Sequence, residues 1–89
     1  MNQFWIVIPA YNEAENLDVL LPRIVAEAES LDGETTLLVI DDGSRDASAE
    51  VVHRLQEQFS SIRYHSQGRN KGKAAALKTG FGMAIEGGA

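Results

Sequence analysis

The 89-residue sequence contains no cysteine, which excludes disulfide staples, thiolate metal sites and cysteine nucleophiles. It has only two histidines, too few for a histidine-built metal site. No stretch approaches the roughly 20 consecutive apolar residues that a membrane-spanning helix needs. Basic charge is scarce as well: eight Lys and Arg stand against thirteen Asp and Glu, for a net charge of -5. Recognition of a DNA or RNA backbone wants a basic face, so no nucleic-acid partner is expected, whereas a single nucleotide needs only a local pocket. What remains, 44% hydrophobic and 24% charged residues, is the composition of an ordinary globular chain, and the length allows one small domain.

The first nine residues, MNQFWIVIP, have no basic n-region, and their apolar run stops at Pro9. They read as the opening strand of a domain and not as a signal peptide. A cytoplasmic location is therefore expected, at the cytoplasmic face of a membrane if a longer protein is attached to one. Charge is unevenly divided. Residues 1–50 carry eleven acids and two bases, and residues 51–89 two acids and six bases. Either the two halves complement each other across a solvated surface, or the acids handle a metal, sugar or base edge while the basic segment meets phosphate.

Three apolar runs have the look of strands: Phe4–Ile8, closed by Pro9; Thr35–Ile40; and the shorter Ile62–His65. Continuous β-branched and aromatic runs of this kind suit strands buried on both faces. Between them the spacing turns helical. Leu17, Leu20, Leu21, Ile24, Val25, Ala28 and Leu31 recur on one helical face, with Asn12 and Glu15 placed for a capping box. Pro22 predicts a kink or a separate first turn. A second helix carries Val51, Val52, Leu55 and Phe59, with Asp46 as its cap. A third is expected over about 73–85, with Ala75, Leu77, Phe81, Ala84 and Ile85 facing inward; Gly80 and Gly82 each weaken it by about 1 kcal/mol. The order βαβαβα predicts a parallel sheet with helices on its faces and a ligand site beyond the carboxyl ends of the strands. Of the three strands, the middle one in sequence is expected at an edge.

The residues with chemistry to offer all follow strands. Tyr11, Asn12 and Glu13 come after the first: a tyrosine face can stack on a base, and a carboxylate can accept its N–H. The pair Asp41-Asp42 ends the second, pointing opposite ways in an extended chain. One is expected to face the site while the other holds the loop or caps the helix. After the third strand, Gly68-Arg69-Asn70-Lys71-Gly72-Lys73 has too short a glycine spacing for a Walker A loop and lacks its Ser/Thr, and no G-x-G-x-x-G follows the first strand. Lysines beside a helix N-terminus still suit a diphosphate. Each cluster also has a plainer reading as turn, cap or solvated loop.

Ile8-Pro9-Ala10-Tyr11-Asn12-Glu13, Val39-Ile40-Asp41-Asp42-Gly43-Ser44-Arg45-Asp46 and the set Asn70, Gly72, Lys73, Ala76 and Gly80 resemble, in order and spacing, three blocks of the family 2 glycosyltransferases. These are P-x-Y-N-E, V-D-D-G-S-x-D and N-x-G-K-x-x-A-x-x-x-G, and the third is closest to dolichyl- or polyprenyl-phosphate sugar synthases. The resemblance implies the three-layer, Rossmann-like half of a GT-A fold, with strand order 3-2-1. It implies that Pro9, Tyr11 and Glu13 line a pocket for base and ribose. Asp42, with Asp41 second, would hydrogen-bond the base, and Lys73 or Arg69 would lie toward the diphosphate. The donor would be a UDP- or GDP-sugar and the acceptor a glycan or lipid phosphate. The family's D-x-D motif, which binds Mg²⁺ or Mn²⁺, and its catalytic acid fall after a fourth strand. Neither metal nor catalytic residues are thus expected within these 89 residues, which read as a piece stopping before that strand and inactive alone.

A bare first-strand edge would invite self-association. Two other classes share parts of the pattern. A receiver-type signalling domain alternates similarly, but its acids follow the first strand, and His65-Ser66-Gln67 occupies the place of its acceptor aspartate. A non-catalytic α/β interaction module would keep the half-fold without the chemistry.

Overall fold

The apolar runs become three strands, β1 (Gln3–Ala10), β2 (Glu34–Asp41) and β3 (Ile62–Ser66), separated by α1 (Ala14–Ala28) and α2 (Ser48–Gln58) and followed by α3 (Lys73–Glu86). The computed structural model describes residues 2–88, so Met1 and Ala89 lie outside the described residues. Both strand pairs are parallel, Ile6 opposite Leu37 and Leu37 opposite Ile62. The sheet order is β1-β2-β3. β2 is therefore central, which corrects the expectation of a middle strand at the edge and agrees with the order 3-2-1. Its run Leu37–Ile40 is fully buried, as a central strand covered on both faces must be.

Alternation along the strands builds two cores. Leu37 and Val39 of β2, with Ile62, face Leu17 and Leu21 of α1 and Val52 and Leu55 of α2. Leu38 and Ile40 face the other way, onto Ala76 of α3, with Trp5, Val7 and Met83 packed around them. α1 and α2 thus cover one face and α3 the other, giving three layers. The Arg63 guanidinium lies 5.4 Å from the Trp5 ring centroid, a cation–π contact across the α3 face of the sheet.

Several local expectations need correction. α1 begins at Ala14 and ends at Ala28, with Glu13 at its N-cap and no side-chain cap. The Asn12–Glu15 capping box does not form, because Asn12 sits at φ 50° and turns its side chain to another loop. α1 runs as one element through Pro22, so no separate first turn forms, and the Asp18 carbonyl lacks its helical donor. Asp46 does serve the start of α2, from one place before the N-cap Ala47, by accepting the Ser48 N–H at 2.9 Å.

The inward face of α3 is Ala76, Gly80 and Ala84, while Phe81 and Ile85 are 55% and 74% exposed. The face is rotated by one residue because only small side chains fit against Val7 and Ile40. A Cβ built at Gly80 would overlap Val7 Cγ1, whereas one at Gly82 meets nothing within 4 Å. The two glycines should therefore respond oppositely in chemical denaturation. Gly80→Ala is expected to lose about 1–3 kcal/mol from overpacking. Gly82→Ala is expected to gain about 0.5–1 kcal/mol from better helix propensity.

Candidate functional site

Three loops meet beyond the carboxyl ends of the strands, and backbone N–H groups tie each to the next. In the first, residues 11–13, Asn12 N–H donates to Ser44 Oγ at 2.8 Å and Glu13 N–H to Ser48 Oγ at 3.1 Å. Asn12 Oδ1 in return accepts the Arg45 N–H at 2.8 Å. Ala14 N–H reaches Asp46 Oδ2 at 3.2 Å. Two donors at the start of α1, the Glu13 and Ala14 N–H groups, are thus satisfied by Ser48 and Asp46, in place of a local cap. Hydrogen bonding to Ser48 and to the Ser48 and Ala14 N–H groups holds the Asp46 carboxyl below the ordinary carboxylate range.

Asp41 and Asp42 are 2% and 4% exposed and point to opposite faces of the sheet, as pleating requires. Asp41 accepts from Ser44 N–H through Oδ1 at 2.8 Å and from the Tyr64 hydroxyl through Oδ2 at 2.5 Å. Burial, and then the hydrogen bond to Asp41 and its charge, push the Tyr64 phenol up to about 12. Asp42 accepts from Lys71 N–H at 2.7 Å and from Gly72 N–H at 2.9 Å, clamping the β3–α3 loop. Gly43 makes that approach feasible. It sits at φ 77°, and a Cβ there would run into the backbone of Arg69 and Asn70.

The result is a pocket of about 260 Å³, walled by Pro9, Ala10, Tyr11 and Glu13 on one side and by Asp42, Asn70, Gly72 and Lys73 on the other. Five of the seven residues singled out from the sequence, Pro9, Tyr11, Glu13, Asp42 and Lys73, come together here. Asp41 and Arg69 do not line it: Asp41 faces β3, and Arg69 is exposed on the loop whose backbone packs on Gly43. Ala10, Asn70 and Gly72 were not singled out, although Asn70 and Gly72 stand in the third motif. Each Asp42 oxygen retains a second lone-pair direction for a ligand N–H. The pocket therefore holds the Asp42 carboxylate, Lys73 and the N-terminus of α3 side by side, with Glu13 contributed by the first loop. Acceptor carboxylates beside a cationic side chain and a helix N-terminus suit a ligand carrying both N–H donors and phosphate. Among the described residues, no group of three or more His, Cys, Asp or Glu could hold a metal ion.

Comparison with known proteins identifies this arrangement. The family model for glycosyl transferase family 2 matches residues 5–85. The chain belongs to that family. Undecaprenyl-phosphate 4-deoxy-4-formamido-L-arabinose transferase from Salmonella paratyphi A is 47% identical over 77 residues, 85% of this chain and 24% of the relative. The protein of the same description from Salmonella choleraesuis is 46% identical over the same length and shares. Among solved structures, the mannosyltransferase PcManGT from Pyrobaculum calidifontis, in complex with GDP-Man and Mn²⁺, superimposes with a TM-score of 0.79 at 25% identity. That match covers 97% of this chain and 24% of the other. The chain thus spans about a quarter of the length of the relatives it matches. Family 2 membership sets the receiver-type reading aside, and the α/β half with three parallel strands fits the GT-A neighbour.

Two outcomes follow from the loop clamp. Asp42→Asn replaces one acceptor by an amide that faces a backbone donor, a loss of about 1–3 kcal/mol, read as faster hydrogen exchange at Lys71 and Gly72. Gly43→Ala should be worse, at about 2 kcal/mol or more, since it combines a left-handed backbone with a steric overlap. A third outcome concerns acid. The Asp46 carboxyl is depressed, so its contribution is whole above the ordinary carboxylate pKa and is lost as pH falls through its lowered value. In Asp46→Asn, exchange of the Ala14 and Ser48 amides should no longer accelerate in that window.

Proposed function

We propose that this chain is the nucleotide-sugar-binding part of a glycosyltransferase, spanning the segment before the fourth strand and the D-x-D motif of its family. The donor is a UDP- or GDP-sugar. The observation that supports this reading best is the convergence of Pro9, Tyr11, Glu13, Asp42 and Lys73 on one pocket, although 64 positions separate the first from the last. In this reading the base stacks on Tyr11, which is 41% exposed, and gives an N–H to the free lone pair of Asp42. Pro9 and Glu13 bound the ribose. Lys73 and the start of α3 meet the diphosphate, with Arg69 reaching in from the exposed loop.

The relatives' description, transfer to undecaprenyl phosphate, favours a polyprenyl phosphate over a glycan as the acceptor. An ionised phosphate acceptor needs no base to deprotonate it, whereas a sugar hydroxyl would. The neighbour's Mn²⁺ supports use of a divalent cation, which offsets charge on the departing nucleoside diphosphate. In this reading that ion is held by the family's D-x-D motif, which falls after a fourth strand. No helix among the described residues is long and apolar enough to cross a membrane. A lipid-phosphate acceptor would place the enzyme at a membrane surface, in this reading the cytoplasmic face.

Calorimetric titration with UDP and GDP in the presence of Mn²⁺ tests the reading. Tyr11→Ala should weaken binding by about 1–3 kcal/mol, roughly five- to a hundredfold. Asp18→Asn, whose carboxylate pairs with Arg54 at 2.6 Å on the α1–α2 surface, should bind like wild type. Equal affinity in all three proteins would remove Tyr11 from the site.

A further inference from the structure

Tyr64 lies on β3, outside the pocket lining and on the opposite face of the sheet from Asp42, yet its hydroxyl begins a continuous path to the pocket wall. Tyr64 Oη donates to Asp41 Oδ2 at 2.5 Å, and Asp41 Oδ1 accepts the Ser44 N–H at 2.8 Å. Ser44 Oγ then accepts the Asn12 N–H at 2.8 Å. Asn12, held at φ 50°, stands between Tyr11 and Glu13, the two residues that give the pocket its aromatic face and its second carboxylate. We infer that Tyr64 is a positioning residue for nucleotide binding, setting the Tyr11–Glu13 loop through Asp41, Ser44 and Asn12. This rests on the proposed function for its ligand, and on the hydrogen bonds alone for its geometry.

The physical reason lies in the burial of Asp41. At 2% exposure its carboxylate has little access to water, so each oxygen needs an internal partner. Tyr64 supplies the partner of Oδ2. Without it the carboxylate turns to recover a donor, and the Ser44 turn that depends on Oδ1 turns with it. Asn12 then loses the acceptor that keeps it left-handed, a conformation that costs a non-glycine residue energy unless its surroundings hold it. A tyrosine phenol stays protonated throughout the neutral range, so Tyr64 remains a hydrogen-bond donor there. The Tyr64 ring, meanwhile, packs edge-on against His53 with centroids 5.0 Å apart. Removing the hydroxyl alone therefore leaves the packing in place.

The test compares wild type, Tyr64→Phe, Ser44→Ala and the double variant, using the full chain and two readouts. Amide resonances and hydrogen exchange at Asn12, Ser44 and Arg45, recorded without ligand, report the path itself. Titration with UDP and Mn²⁺ reports its effect on the pocket. Tyr64→Phe should move those three amides while leaving Lys71 and Gly72, held by Asp42, in place. It should also weaken UDP binding by about three- to tenfold. The double variant should be no weaker than the weaker single one, since both cut the same path. Multiplicative losses, unmoved amides in Tyr64→Phe, or moved amides with unchanged affinity would each overturn the inference. If wild type binds no nucleoside diphosphate but the amides move, the functional reading fails while the path stands.

Discussion

The carboxylate of Asp42 is the interaction on which the site depends. At 4% exposure its oxygens need internal donors, and the donors it has are the backbone N–H groups of Lys71 and Gly72. Those groups reach it only when the β3–α3 loop lies across the end of β2. The loop, the start of α3 and one wall of the pocket are thus set by a single buried charge, which in turn avoids the large cost of an unpartnered one. Gly43 complements it by removing the side chain that would hold the loop away.

Asp41 performs the corresponding task on the other face. Because successive residues of a strand point to opposite sides, two adjacent aspartates serve two different layers. One fastens the β2–α2 turn to β3, and the other fastens the β3–α3 loop to β2. The first loop and the start of α1 join them through Asn12, Glu13 and Ala14, whose N–H groups end on Ser44 and Asp46 of the β2–α2 loop and on Ser48 at the start of α2. Three loops from distant parts of the sequence therefore behave as one body before any ligand arrives. A pocket built this way loses little conformational freedom on binding, which is the usual route to affinity in a small site.

The placement of that body follows from topology. α1 and α2 lie on one face of the sheet, and α3 crosses to the other, over β1 and β2. The direction of winding changes there, and ligands of open α/β sheets gather beyond the strand ends at such a change. β1 is hydrogen-bonded on one side only, and its residues Phe4–Pro9 are half-buried, whereas Leu37–Asp41 of β2 are buried.

The sequence by itself determined the alternation of strands and helices, the parallel sheet and the gathering of Pro9, Tyr11, Glu13, Asp42 and Lys73 at one end. Apolar periodicity is a local property, and the chain-order rules of α/β folds do the rest. It also showed that Asp41 and Asp42 must diverge, since that follows from the pleat. Alternation alone leaves open which of the two faces the pocket; the family resemblance put Asp42 first, and the tertiary structure lines the pocket with Asp42 and turns Asp41 to Tyr64. It likewise decided the cap of α1, where Asn12–Glu15 has the local pattern but Ser44, Ser48 and Asp46 offer better partners across 32 to 35 positions. The inward face of α3 was decided by the space beside Val7, which admits Gly80 and turns Phe81 outward. Tyr64 carried no signal at all in one dimension. Its role depends on a buried oxygen 23 positions away, and no local pattern records which side chain will be near enough to complete it.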